Sequence, residues 1–179
     1  MFKVRIDDEI SLMLLQEKDA GKIFKVVDSC RNYLREWLPW VDDMKSEEDY
    51  LPVIKMWLKQ FAENEGFQAA ILYKNEIVGM IGFHHIDWRN SNTSIGYWLA
   101  EKFQGKGIMT RACKEMVRIA FEEYQLNRVE IRCGEKNEKS RAIPERLGFR
   151  QEGIIRDGEN LYGHFHNSLV YGLTRKDIR

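Results

Sequence analysis

The stretch from Ser94 to Lys114 constrains this chain more than any other, because a strand, a glycine turn and a helix start follow one another in it without a gap. Ile95, Tyr97 and Leu99 alternate in the period of a strand, and Gln104-Gly105-Lys106-Gly107 sets two glycines where the extended run gives way to a helical one. The turn therefore ends at a helix N-terminus. The first backbone N–H groups of a helix have no internal partner and the aligned peptide dipoles add partial positive charge, so such a turn can hold a phosphate. Glycine lets the anion approach the backbone. Glycines after a strand also make plain turns, and the rest of the chain has to decide between the two.

Two common phosphate loops do not fit. A nucleoside-triphosphate loop needs Gly-x-x-x-x-Gly-Lys-[Ser/Thr], and here Lys106 lies between the glycines. In the dinucleotide fingerprint the third glycine would fall at Thr110, and the acid expected about 20 residues on would be Glu122 or Glu123, within a helix. The pattern Gln-x-x-Gly-x-[Gly/Ala], with Gln104 and Gly107 matching and Met109 in place of the usual small residue, resembles the pyrophosphate arm of the GNAT acetyltransferases, which use acetyl-CoA.

A chain of 179 residues suits one domain, 1–179, with a sizeable core. No apolar run approaches the ~20 residues that span a bilayer. The opening Met-Phe-Lys-Val-Arg-Ile-Asp-Asp-Glu has no apolar stretch with a cleavage site, so a cytoplasmic protein without a membrane partner is expected. Cys30, Cys113 and Cys133 are an odd set without metal-ligand spacing, which predicts buried apolar fillers rather than disulfides or zinc. With 28 basic and 28 acidic residues the formal charge is zero, and no overall field attracts nucleic acid.

Taken in order, Ile10–Leu15 reads as a strand and Glu17–Cys30 as a helix. The aromatics around Pro39 (Tyr33, Trp37, Trp40) read as core lids or a substrate wall. Ser46 with Asp49 resembles a capping box before a helix whose Leu51, Ile54, Trp57, Leu58 and Phe61 form one stripe. Phe67–Tyr73 and Ile77–Phe83 make a hairpin, with Gly79 and Gly82 hinting at close backbone approach or a bulge. His84 and His85 point to opposite faces of a strand and so do not share a metal. A helix over Gly107–Gln125 follows, with Arg111 among its solvated charges, then a strand at Arg128–Cys133 and a short helix strained by Pro144 and stopped by Gly148. Gln151–Arg156 and His164–Leu173 are two last strands joined by a glycine-rich loop, Asp157–Gly163.

This order of elements, with Asn137-Glu-Lys-Ser140 and Leu147-Gly-Phe149 in register behind the glycine turn, resembles the GNAT family over nearly the whole chain. Gly96-Tyr-Trp-Leu99, Phe103–Thr110 and His166-Asn167 after Gly163 are most similar to its ribosomal-protein N-terminal acetyltransferases. The resemblance implies an α+β (α/β/α) fold: a mixed, mostly antiparallel sheet of six to seven strands, flanked by helices, whose fourth and fifth strands splay apart. It implies an enzyme that moves acetyl from acetyl-CoA, used as substrate and without metal, to a primary amine. The favoured acceptor is the α-amino group of a ribosomal protein; a polyamine or amine antibiotic, or an idle coenzyme A-binding module, are the alternatives. A homodimer is among the assemblies it allows.

The resemblance also implies the site. Gln104, Gly105, Lys106, Gly107, Ile108, Met109 and Thr110 would hold the pyrophosphate, Asn137 would contact the pantetheine arm or order the loop beside it, and Trp98 and Leu99 would be further cofactor contacts. Where many relatives have an acidic tyrosine this chain has Pro144, so Ser140 is the implied general acid and Glu159 the general base. The residue types suit the chemistry, since a carboxylate can take the proton of an amine of pKa near 8. A backbone N–H between Trp98 and Ala100 would meet the oxyanion if the strand splays there. Read without the family, Ser140 is equally an N-cap of its helix and Glu159 a solvated carboxylate. An acidic rim of Glu36, Asp42, Asp43, Glu47 and Glu48 would suit a basic acceptor or is plain solvated surface.

Overall fold

The computed structural model describes residues 3–178; Met1 and Phe2, the start of the N-terminal stretch read for export, and Arg179 lie outside them. In chain order its elements are β1 (Lys3–Arg5), β2 (Ile10–Met13), α1 (Ala20–Asp28), α2 (Arg31–Arg35), α3 (Tyr50–Ala62), β3 (Gln68–Tyr73), β4 (Glu76–Asp87), β5 (Asn92–Leu99), α4 (Ile108–Arg118), β6 (Arg128–Gly134), α5 (Glu138–Arg146), β7 (Arg150–Leu161) and β8 (His164–Thr174). The described strands form one sheet of eight, in the order β1-β2-β3-β4-β5-β6-β8-β7. The expected count of six to seven is corrected by β1, whose three residues are too few to alternate visibly and which is held by pairing with β2. The splayed pair is accordingly the fifth and sixth strands.

Helices cover both faces. Ile108, Met109, Ala112, Cys113 and Met116 of α4 close over Ile81, Ile95 and Ile131 on one side. Ile23, Val27 and Ile54 of α1 and α3 close over Ala70 and Met80 on the other. The start of α3 follows the capping signal: the Asp49 carboxylate accepts from the Ser46 N–H at 2.9 Å across a short 3-10 turn. The helix expected to run to Gln125 changes after Arg118 into a wider turn over Ile119–Glu123, and Gln125 then leaves with φ 55°.

Two features of the sheet build the site. β5 pairs with β6 in parallel only over Asn92–Ile95, so Gly96–Leu99 stays bonded to β4 alone and faces a gap. The Ala100 N–H is spent on the Val78 carbonyl, 2.8 Å away. By the alternation of an antiparallel ladder, the amides of Tyr97 and Leu99 then point into the gap. The glycine-rich loop expected at Asp157–Gly163 is instead mostly strand. β7 runs on to Leu161 through a bulge between Ile155 and Glu159, where it carries two residues more than β8, and only Tyr162-Gly163 turn. Asp157-Gly158 reads as turn chemistry because it is the bulge: Asp157 has φ 48°, and its N–H donates to Asn167 Oδ1 at 3.0 Å.

Candidate active site

The gap beside Gly96–Leu99 opens into a cleft of about 930 Å³, bounded by the glycine turn and α4, by α5, and by Tyr33, Trp37 and Leu38. The expected residues Trp98, Leu99, Gln104, Gly105, Gly107, Ile108, Met109, Thr110, Asn137 and Ser140 all line it. Lys106 does not: its ammonium lies 5.5 Å from the ring centres of Tyr73 and of Phe103. Of the two readings of Tyr33 and Trp37, these rings wall the cleft.

The glycine turn is locally determined. Gly105 and Gly107 have φ of 73° and 68°, a region only glycine enters cheaply, and a Cβ on either would meet nothing within 4 Å. Glycine is therefore required by the backbone shape, and the space in front of it is open to a ligand. Behind that space stand the first N–H groups of α4, which have no partner within the helix. Arg111, expected to be solvated, holds the turn: its guanidinium meets Asp7 at 2.7 Å and the Lys106 carbonyl at 3.3 Å. Gln104 reaches across the cleft mouth, donating to the Tyr33 hydroxyl and accepting from Lys139 at 2.8 Å.

At the inner end, Asn137 caps α5 by accepting from the Ser140 N–H at 3.1 Å, so the capping role read for Ser140 falls to Asn137. This puts the Ser140 side chain in the first turn of α5, with its hydroxyl 3.3 Å from both the Tyr97 hydroxyl and the Cys133 sulfur. Tyr97 donates to the Ser140 carbonyl at 2.9 Å. Burial, with Cys133 adding to it, keeps the Tyr97 phenol protonated, and burial also pushes the Cys133 thiol up. The hydrogen-bond partners of the Ser140 hydroxyl are thus both neutral. Tyr97 was not foreseen as part of this cluster, although its place in the alternation of β5 puts it on the α4 side. Cys113 is a buried filler as expected, whereas Cys30 is only half-buried.

Glu159 does not line the cleft; it lies on β7 opposite His166, whose ring is 6.1 Å from that of Trp37 on the cleft wall. Burial raises the Glu159 carboxyl above its ordinary range, with His166 pulling part of the way back. The β7–β8 turn packs on the chain after α2, where the Tyr162 hydroxyl donates to the Leu38 carbonyl at 2.8 Å and Arg35 lies 3.7 Å over the Tyr162 ring. Asn167 was missed as a supporting residue: it holds the bulge at Asp157 and donates to Glu135 at 2.9 Å, which fixes the register that places Glu159. Of the acidic rim, Asp42 is taken by Arg35 at 2.9 Å. His84 and His85 join no cluster of three metal-ligating side chains among the described residues, and no described helix is long and apolar enough to cross a membrane.

Comparison with known proteins bears on this geometry. A family model described as an acetyltransferase (GNAT) domain matches residues 10–150. A putative ribosomal N-acetyltransferase of Bacillus subtilis, YdaF, is 39% identical over 178 residues, 99% of this chain and 97% of that protein. The ribosomal-protein-serine acetyltransferase of Escherichia coli is 24% identical over 94% of each chain. The crystal structure of the microcin C7 self-immunity acetyltransferase MccE, in complex with acetyl-CoA and AMP, superposes with a TM-score of 0.91 at 27% identity, covering 96% of this chain and 95% of that one. The chain belongs to the GNAT acetyltransferases, enzymes that use acetyl-CoA.

Proposed function

We propose that this enzyme acetylates the α-amino group of a ribosomal protein, with the opened edge of β5 as the place of transfer. The observation that carries the reading is the meeting, along that edge, of the glycine turn, the Leu99 amide and the Ser140 cluster in one cleft. The N–H groups from Gln104 to Thr110 would take the pyrophosphate, and the gap beside Trp98 and Leu99, with Asn137 near its end, would take the pantetheine arm. The Leu99 N–H would face the oxyanion as the amine attacks the thioester carbonyl. Glu159, with its raised pKa, would take the amine proton through an intervening water, since it stands back from the cleft. Ser140 would donate a hydrogen bond to the departing sulfur and orient it rather than lose its own proton, because its neighbours are neutral.

A ribosomal acceptor is favoured by YdaF, similar over 99% of this chain and named a putative ribosomal N-acetyltransferase. A small amine acceptor is the second reading; it is supported by the similarity to MccE, named a microcin C7 self-immunity acetyltransferase, whose crystal structure holds AMP beside acetyl-CoA. Mass spectrometry of ribosomal proteins from cells with and without the enzyme tests the first. One N-terminus that loses its acetyl group is the expected result; an unchanged set of termini overturns it.

A further inference from the structure

A second cavity, of about 730 Å³, lies on the α3 side of the sheet and shares Leu38, Tyr97 and Trp98 with the cofactor cleft. Its size is that of a small-ligand site. Three indoles wall it. Trp40 and Trp98 meet with ring centres 6.0 Å apart, and Trp57 of α3 joins them over Met80. All three are only partly buried, while Val41, Tyr50 and Ile54 on the same face are closed off, so the indoles line a space rather than fill the core. The polar part of the wall is fixed. His84 occupies the room left by the missing side chain of Gly96 and lies 3.1 Å from Ser94 Oγ, and Gln60 donates to the carbonyls of Phe83 and His84 at 3.0 and 3.1 Å. Lys59, Glu63 and Glu65 stand exposed around it.

Resting on the proposed transfer to a peptide N-terminus, we infer that this cavity receives the side chain of the acceptor's first residue, and that this side chain is large and apolar: aromatic or long aliphatic. Trp98 belongs to the strand segment whose open edge faces the thioester, and its indole is on the cavity side. A group on the carbon beside the amine therefore meets Trp98 first, then Trp40 and Trp57. An alanine or serine side chain leaves most of the indole surface wet, whereas a phenylalanine, leucine or methionine side chain removes it from water. That difference is worth roughly ten- to hundredfold in kcat/KM.

The test uses the intact enzyme and peptides that differ only at the first residue. Expected is a preference of tenfold or more for phenylalanine, leucine or methionine over alanine or serine. Trp57→Ala should lower that ratio several-fold and Trp57→Phe should retain most of it, with the acetyl-CoA Kd by calorimetry reporting that the fold is intact. A preference for alanine or serine in the unmodified enzyme, or a ratio that Trp57→Ala does not move, overturns the inference. The unmodified ranking needs no variant, so a Trp57→Ala protein that fails to fold leaves the question decidable. Acetyl-CoA binding with no transfer to any peptide overturns the peptide acceptor itself, and this inference with it.

Discussion

The two sides of the opened strand β5 are built in opposite ways. On the α4 side the turn proposed for the pyrophosphate is one unbroken run, Gln104–Thr110, shaped by two left-handed glycines and the first turn of a helix. On the α3 side and at the β7–β8 end, the surroundings proposed for the acceptor are gathered from three separate stretches of chain, with Trp40 and Trp57, Trp98, and Glu159 with His166. A local site fails when its backbone is disturbed. A distributed one fails one function at a time.

The largest effect is expected where the local site is broken. Gly107→Val puts a branched side chain at φ 68° and in front of the helix start, so acetyl-CoA binding by calorimetry should be lost while the circular dichroism of the fold remains. Since a Cβ there meets nothing within 4 Å, the loss would come from strain and from the occupied anion space, not from collision with the protein. Unchanged affinity would sink the assignment of the turn.

Next comes the distributed side. Glu159→Gln should leave the acetyl-CoA Kd unchanged and lower turnover by roughly a hundredfold at neutral pH. The sign of the pH dependence follows from burial. Because the folded carboxyl has a raised pKa, the unmodified enzyme loses activity as pH falls through that value, the protonated acid being unable to accept a proton. The variant lacks that limb. Its defect should shrink at high pH, where an N-terminal amine of pKa near 8 is already free. Equal rates across the range would make Glu159 a bystander and move the base elsewhere.

The same contrast governs what the sequence disclosed. The glycine turn, the α4 stripe and the capping box at Ser46 were legible because each is fixed by residues within a few positions of one another. Arg111 and Tyr97 were not, since their partners, Asp7 and Ser140, are brought to them only by the sheet. The Asp157-Gly158 bulge was read as a loop because turn residues look alike whether the chain reverses or merely bends, and only pairing with β8 decides. β1 was invisible for a related reason, a three-residue strand having no period. The motif Asn137-x-x-Ser140 was noticed, but its division of labour needed the hydrogen bond from the Ser140 N–H to Asn137.

A smaller effect is expected of Asn137→Ala, where the two kinds of region meet. Losing the cap should lower stability by about 0.5–2 kcal/mol, read as a drop in Tm. If Asn137 also lies beside the pantetheine arm, KM for acetyl-CoA should rise several-fold more than KM for the acceptor. The reverse split would move Asn137 to the acceptor side, and a Tm change with both KM values intact would leave it a cap alone.

The smallest effect separates holding a turn from binding a ligand. Arg111 touches Asp7 and the Lys106 carbonyl, and the Asp7 carboxyl, although partial burial works against it, is kept below its ordinary range by the N–H groups of Glu9 and Ile10 and by Arg111. Both partners of the pair are about a third exposed, so water screens it and it is worth no more than about 1 kcal/mol. If Arg111 acts only by steadying the turn, Arg111→Ala and Asp7→Asn should each raise the acetyl-CoA Kd by at most about fivefold, and the double variant should do no worse than either alone. If Arg111 instead meets a phosphate directly, Arg111→Ala should exceed Asp7→Asn and its defect should narrow as salt is raised. The steadying role predicts a non-additive pair, because the Arg111–Asp7 contact is lost in both substitutions, and what Arg111→Ala loses beyond it, the bond to the Lys106 carbonyl, changes little with salt.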